Sequence, residues 1–198
     1  MKLWAIQDKA VLRDIEKYGS YRCTVKNEIA EWEYAYKWMR KQLKCRIKHQ
    51  PQENHEPIWA WYQYESSFKK KPDLRRSSHL PRGSEGIRLE FVKESNQVLM
   101  SDFELWHAPL NSSYLGQDEF EQELFESRME EYNLQNHLIS ELPEKYQVEI
   151  EKSWHRVFDL NHTNSYWGTS NKHERSIQAC LWEINANEII KIDHFIAR

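Results

Sequence analysis

The sequence predicts an α+β fold, one domain with a mixed or antiparallel sheet and flanking helices, and three observations predict it. Apolar residues alternate between strand and helix spacing in the order β-α-α-β-β-β-α-α-α-β-β, which is not the regular alternation of a doubly wound parallel sheet. Only five Gly and six Pro occur in 198 residues, too few for a disordered chain or a many-turned β-sandwich. Nine Trp, ten Tyr and seven Phe supply a core that is aromatic rather than aliphatic, because each ring buries a large area. The length suits a single domain spanning residues 1–198, with a long basic loop at 66–86 and a polar loop at 159–176.

The elements follow in order. Leu3 to Ile6 is a short apolar run and reads as a buried strand. Asp8 stands where an N-cap belongs, Val11, Leu12, Ile15 and Tyr18 follow at helical spacing, and Gly19 fits the position just past the helix end. A second helix runs from Asn27 to His49, its stripe formed by Ile29, Trp32, Tyr36, Met39, Leu43 and Ile47. Then comes "PIWAWYQYE". At period two, Ile58, Ala60, Tyr62 and Tyr64 face one way and Trp59, Trp61, Gln63 and Glu65 the other. This is a core strand expected to leave the core at its Gln63-Tyr64-Glu65 end. Ile87 to Val92 and Val98 to Met100 read as strands, and Ser101-Asp102 caps a short helix that Asn111 closes. An acidic helix from Asp118 to His137 is expected to bury Phe120, Leu124, Phe125, Met129 and Tyr132. Pro143 opens a helix carrying Val148, Ile150, Trp154, Val157 and Phe158. Ile177 to Ile184 is the last clear strand, and "NANEIIKIDHF" adds a further strand or a turn of helix.

Composition excludes several functions. The net charge of −3 argues against a dedicated duplex-DNA binder. Charge is uneven, however. Residues 69–82 hold six basic side chains and one Asp, and residues 118–131 hold seven acidic ones and one Arg. These are either two solvated surfaces that attract each other or, for the basic run, a polyanion track. The three Cys, at 23, 45 and 180, form no Cys-x-x-Cys, so neither a disulfide framework nor a zinc site is indicated. The start "MKLWAIQDKAVL" lacks the apolar run of a signal peptide, and no apolar stretch is long enough to span a bilayer. The expectation is a cytoplasmic protein with no membrane contact.

Glycine-rich nucleotide loops, His-Glu-x-x-His and Gly-x-Ser-x-Gly are missing. His155, Asp159 and His162 are close in sequence without a metal-ligand spacing, so no metal is expected. Cys180, mid-strand, reads as a small buried residue rather than a nucleophile. A small-molecule pocket is the default for such a domain. Polar residues at the ends of apolar elements are its candidates: Gln63, Asp73, Arg75, Asp102, His107, Asn111 and Gln178. Each also has a structural reading: Asp102 as an N-cap, Asp73 and Arg75 as loop ties, His107 with Asn111 as a helix-end pair, Gln178 as a partner for the sheet backbone.

"LWAIQ", "PIWAWYQYE", "KPDLR", "VLMSDFELWHAPLN", "SWHRVFDL" and "IQACLWEI" occur in that order, and together they resemble a bacterial family, domain of unknown function 3841, over Leu3 to about Phe195. The resemblance implies a stand-alone bacterial domain and brings no reaction. The layout is also distantly similar to the ADP-ribosyltransferase fold. That similarity implies a Tyr or Ser near the second strand, which Tyr62 or Tyr64 matches, and a Glu on a late strand, where this chain has Gln178, Ala179 or Cys180 and no Glu before Glu183.

The leading expectation is recognition of a nucleotide-like ligand of the NAD or ADP-ribose class. Trp59 or Tyr62 would stack on a base, Arg75 and Arg76 would bind phosphates through planar, paired donors, and Gln178 would line the floor. Any chemistry would be ADP-ribosyl or nucleotide transfer. Two alternatives stand beside it. In one, a non-enzymatic protein uses the acidic run from Asp118 to Glu131 to bind a protein partner. In the other, single-stranded nucleic acid binds across the aromatic strand and the basic loop.

Overall fold

The computed structural model describes residues 1–24, 30–47, 55–77, 79–163 and 166–198. The ends of the expected second helix at Asn27, Ile29 and His49, and most of the segment after it, lie outside the described residues. The chain divides into two compact units. The first comprises Met1–Lys26, Arg40–Met100 and Ser176–Arg198, and the second Asn27–Met39 and Ser101–Arg175.

The strands are β1 (Lys2–Asp8), β2 (Ser20–Tyr21), β3 (Ile58–Gln63), β4 (Glu85–Val92), β5 (Leu99–Asp102), β6 (Ile177–Leu181), β7 (Ile184–Asn185) and β8 (Ile189–Ile196). The helices are α1 (Val11–Tyr18), α2 (Glu33–Arg46), α3 (Phe103–Leu110), α4 (Glu119–Glu131) and α5 (Glu144–Ser153). This is the expected mixed α+β order with two additions. The short β2 pairs with β7 in a small second sheet, and the last apolar run breaks after Leu181 instead of continuing to Ile184.

The main sheet has the order β5-β6-β3-β1-β4-β8. Its pairs β1–β3, β1–β4, β3–β6 and β4–β8 are all antiparallel. Registers assign the faces. Leu3 lies opposite Phe91, Ala5 opposite Leu89, Ile58 opposite Leu181 and Ala60 opposite Ala179. These residues form one buried cluster with Val11 and Ile15 of α1. Helix α1 ends where Gly19 takes the left-handed conformation, φ 72°, and donates its N–H to the Ile15 carbonyl at 2.9 Å, a geometry that costs glycine little. Asp8 sits just before the helix and accepts the Ala10 N–H at 2.8 Å.

The opposite face is aromatic and charged. Trp4 is the partner of both Trp61 and Glu90, and its indole donates to Glu90 at 3.0 Å. The period-two reading of β3 holds up to Trp61 and then fails. Trp61 lies opposite Gln178 and Gln63 opposite Ile177, so the register shifts between them. One extra residue resets the alternation. Gln63 therefore shares the side of Ile177 and is buried, rather than marking the strand's exit from the core.

In the second unit the core is aromatic, as composition predicts. Trp38 stacks on Trp106 at 6.5 Å and on Phe158 at 5.6 Å between ring centroids, and meets Trp154 edge-on at 5.4 Å. The buried Trp154 indole donates to the Ser113 carbonyl at 2.7 Å. Helix α4 turns a different side inward than its apolar residues suggested. Phe125 and Met129 are buried together with Gln122, whereas Phe120 is 74% exposed and Leu124 and Tyr132 are exposed as well.

Two truncations test this packing. Trp38→Ala should cost about 3–5 kcal/mol, the loss expected when a buried indole leaves a cavity. Phe120→Ala should change stability by no more than about 0.5 kcal/mol, as for a surface position. Urea denaturation of the two variants checks the contrast, and equal losses would refute the assignment of faces on α4.

Candidate functional site

The residues singled out from sequence do not converge. In the first unit, Tyr62 packs against the buried cluster, while the registers place Trp59 and Gln178 on the opposite side of the sheet. The buried Oε1 of Gln178 has no hydrogen-bond partner among the described residues. The basic loop largely neutralises itself. Arg75 folds back on Asp73 with Nη2 2.6 Å from Oδ2, and this partner holds the Asp73 carboxyl well below the usual range. Arg76 pairs with Glu65. Lys69 reaches the same carboxylate at 3.1 Å and Lys71 reaches Asp193 at 3.2 Å. Lys70 lies 5.4 Å from the Tyr62 ring centre.

In the second unit, Asn111 closes α3 by donating its side-chain amide to the His107 carbonyl at 2.8 Å. The His107 ring lies against Phe103 and its Nδ1 is 3.2 Å from the Glu104 carbonyl. Asp102 is the N-cap of α3, accepting from the Glu104 N–H at 2.9 Å and the Leu105 N–H at 3.2 Å through one oxygen. Its other oxygen faces His162 Nε2 at 3.3 Å and Arg175 Nε at 3.7 Å. Asp102 thus joins the helix to the polar loop.

Arg175 explains the path of that loop. Its side chain is 1% exposed, and a guanidinium so buried must find acceptors. It donates to the carbonyls of Leu160 at 2.8 Å, Thr169 at 2.9 Å, Ser170 at 3.0 Å and His162. One cation thereby gathers the ends of a segment whose described residues have no regular secondary structure. Its Nη2 also lies 3.4 Å from His162 Nδ1. The His162 ring is thus held between Asp102 and Arg175.

The loop so fixed walls a cavity of about 620 Å³. Asp159, Asn161, His162, Thr163 and Trp167 come from the loop, Arg156 from the 3₁₀ turn at Trp154–Phe158, and Leu115, Gly116, Gln117 and Asp118 from the approach to α4. Trp167 is held by its indole N–H, which donates to the Gly116 carbonyl at 2.9 Å. No side chain fits at position 116, where a Cβ would stand 2.8 Å from the Gln122 backbone nitrogen and 2.9 Å from the Asp118 carbonyl. Arg156 is already engaged. It donates to both Glu121 oxygens at 3.0 and 2.9 Å and to the Leu115 carbonyl. Burial pushes the Glu121 carboxyl up, but donors from Gln117, Tyr114 and Arg156 outweigh it and hold the group below its ordinary value. The carboxylates of Asp118 and Asp159 each use one oxygen locally, on Glu121 N–H and Asn161 N–H.

Sequence reading reached Asp102 but missed the cavity. The signal was an aromatic pair, Tyr166-Trp167, inside an otherwise polar loop that ends in a buried Arg. Cys180 is fully buried, and burial raises its thiol well above the usual value, which leaves it inert. Among the described residues no group of three or more His, Cys, Asp or Glu could hold a metal ion, and no helix is long and apolar enough to cross a membrane.

Fold and cavity define an α+β protein with a polar pocket of small-molecule size. The family described as Domain of unknown function (DUF3841) matches residues 2–190, and the chain belongs to that family. No curated protein and no solved structure matches it.

The Glu121 cluster gives a pH test. A carboxyl held below its unfolded value, near 4.3, contributes stability that is present above that value and lost as pH falls through the folded one. Glu121→Gln should therefore be less stable than wild type at neutral pH, and the gap should close below about pH 4. Thermal melts from pH 7 to 3 would refute this if the gap stayed constant.

Proposed function

We propose that this protein binds a nucleoside-type small molecule, an aromatic base joined to a hydroxylated sugar, in the cavity beside Trp167. The observation that carries the reading is an anchored indole facing hydroxyl-binding side chains in a cavity of about 620 Å³, within the range of small-ligand sites. A base stacks on an aromatic ring whatever its sequence identity. Asp118, Asp159, Asn161 and Thr163 would accept from, or donate to, ribose hydroxyls. A phosphate is less well served, because the one guanidinium lining the cavity, Arg156, already donates to a carboxylate and a carbonyl. NAD or ADP-ribose, the class suggested by the likeness to ADP-ribosyltransferases, would then enter by the adenosine end.

This places the base on Trp167 rather than on Trp59 or Tyr62, and it takes the phosphate role from Arg75 and Arg76. It is a binding function. His162 is held between Asp102 and Arg175, and the reading assigns no turnover.

Calorimetric titration with adenosine, guanosine, cytidine, uridine, NAD and ADP-ribose tests the reading. At least one nucleoside should bind, and Trp167→Ala should weaken it by about tenfold or more, the equivalent of roughly 1–3 kcal/mol of stacking. Arg75→Ala should leave affinity unchanged. Loss of binding in Arg75→Ala but not in Trp167→Ala would move the site to the basic loop, and a panel without binding would reject the nucleoside class.

A further inference from the structure

We infer that this chain associates with a second copy of itself by antiparallel pairing of β8 with β8 across a two-fold axis at Ile192. Strand β8 closes one end of the main sheet, with β5 at the other, and all of it lies in the first unit. Its ladder runs to β4, where Lys191 faces Glu90 and Asp193 faces Arg88. The backbone directions follow from the neighbours. The Glu85 carbonyl accepts from Lys9 N–H at 3.0 Å and the Lys93 N–H donates to the Met1 carbonyl at 2.9 Å, so odd-numbered residues of β4 turn to the β1 side. The even-numbered ones turn to β8, and their partners Lys191, Asp193 and Phe195 turn inward to meet them. Ala197 keeps this alternation, donating to the Ser84 carbonyl at 2.9 Å. The N–H and C=O groups of Ile192 and His194 therefore point away from the sheet, and neither residue makes a backbone hydrogen bond outside the ladder among the described residues. Such an edge is a template for a further strand.

The side chains of this edge match a second copy of it. Ile190, Ile192 and Ile196 are 53%, 37% and 58% exposed, a row of isoleucines where edge strands normally carry charge or proline to discourage pairing. Outward-facing residues pair with outward-facing residues, so a two-fold axis must fall on a residue. With the axis at Ile192, the strands overlap from Ile189 to Phe195, Ile192 meets Ile192, and Ile190 meets His194. Lys191 of each copy then lies opposite Asp193 of the other. Within its own copy Lys191 Nζ is already 2.7 Å from Asp193 Oδ1, so the four groups close a ring of alternating charge. Moving the axis by one residue sets Lys191 against Lys191 or Asp193 against Asp193, and like charges directly opposite each other are destabilising. Moving it farther shortens the overlap. Charge thus selects both the occupant and the register. One strand of the first unit supplies both halves of the contact, as an isologous interface requires. The pairing is independent of the nucleoside cavity, and its test contains no ligand.

Sedimentation of the full chain across protein concentrations reads the association, and a concentration-dependent dimer is expected. Lys191→Glu turns both cross-strand attractions into repulsions, while Arg88 and Lys71 still neutralise Asp193 within its own copy. At low salt it should raise the dimer dissociation constant by about tenfold or more and leave the far-ultraviolet circular dichroism unchanged. High salt should restore part of the loss, because it screens the new repulsion. Cross-linking reads the register. Ile192→Cys should form a disulfide-linked dimer on mild oxidation, since the two copies of residue 192 meet on the axis, and Lys191→Cys should not. The wild-type chain, with Cys23, Cys45 and Cys180, is the control. A protein that stays monomeric at every concentration overturns the inference. So does a dimer that Lys191→Glu leaves intact at low salt, and so does one that links through position 191 or fails to link through position 192.

Discussion

The second unit depends on the burial of one charge. Arg175 stands two residues before β6 with 1% of its side chain exposed. An unpaired guanidinium at that depth would cost several kcal/mol. The cost is offset by carbonyl acceptors and by the Asp102 carboxylate rather than by one salt bridge. Those carbonyls belong to residues 160, 162, 169 and 170. Satisfying the cation therefore fixes both ends of a loop that has no ladder of its own. Asp102 couples the result to a helix, because its other oxygen caps α3. The described residues of the loop are irregular in secondary structure and yet tied in place by these contacts, the arrangement in which a rigid scaffold presents binding groups.

The same logic limits the chemistry. A histidine in a cavity invites the role of general base, but a base must keep a nitrogen for the substrate. At His162 one nitrogen faces Asp102 and the other lies 3.4 Å from Arg175 Nη2, so the ring is hemmed on both edges. Arg156 is similarly spent on Glu121 and a carbonyl. The remaining lining groups are neutral or anionic, a set poorly suited to stabilising a new anion.

Much of the fold was legible because its signals are local. Gly19, Asp102 and Pro143 each mark a helix boundary through local backbone or capping preferences, and most strands of the main sheet announce themselves as short apolar or alternating runs. What was not legible was non-local. The shift between Trp61 and Gln63 depends on how β3 meets β6, so period two was read one residue too far. On α4 the apolar residues at 120, 124, 125, 129 and 132 cover more than one face, and hydropathy alone could not choose. The choice is made by Gln122, whose side-chain oxygen is required by the Gly116 N–H at 3.0 Å, a contact that packs Phe125 and Met129 inward and leaves Phe120 outside. The cavity was hidden for the same reason. Its walls come from separate segments, and only the carbonyl contacts of Arg175 bring the loop residues among them into register.

The distribution of charge extends this argument to recognition. In the basic loop, Lys69, Lys71, Arg75 and Arg76 each meet a carboxylate close by. The loop looks like a polyanion site in sequence but presents little unmatched charge in three dimensions. Along α4 the acidic residues outnumber the single Arg128, which is itself paired with Glu149. The charge left over after local pairing is negative, in keeping with the net −3 of the chain. Sequence runs of one sign therefore predict a binding surface only after the neighbours that neutralise them are subtracted. That subtraction leaves an excess of negative charge along α4.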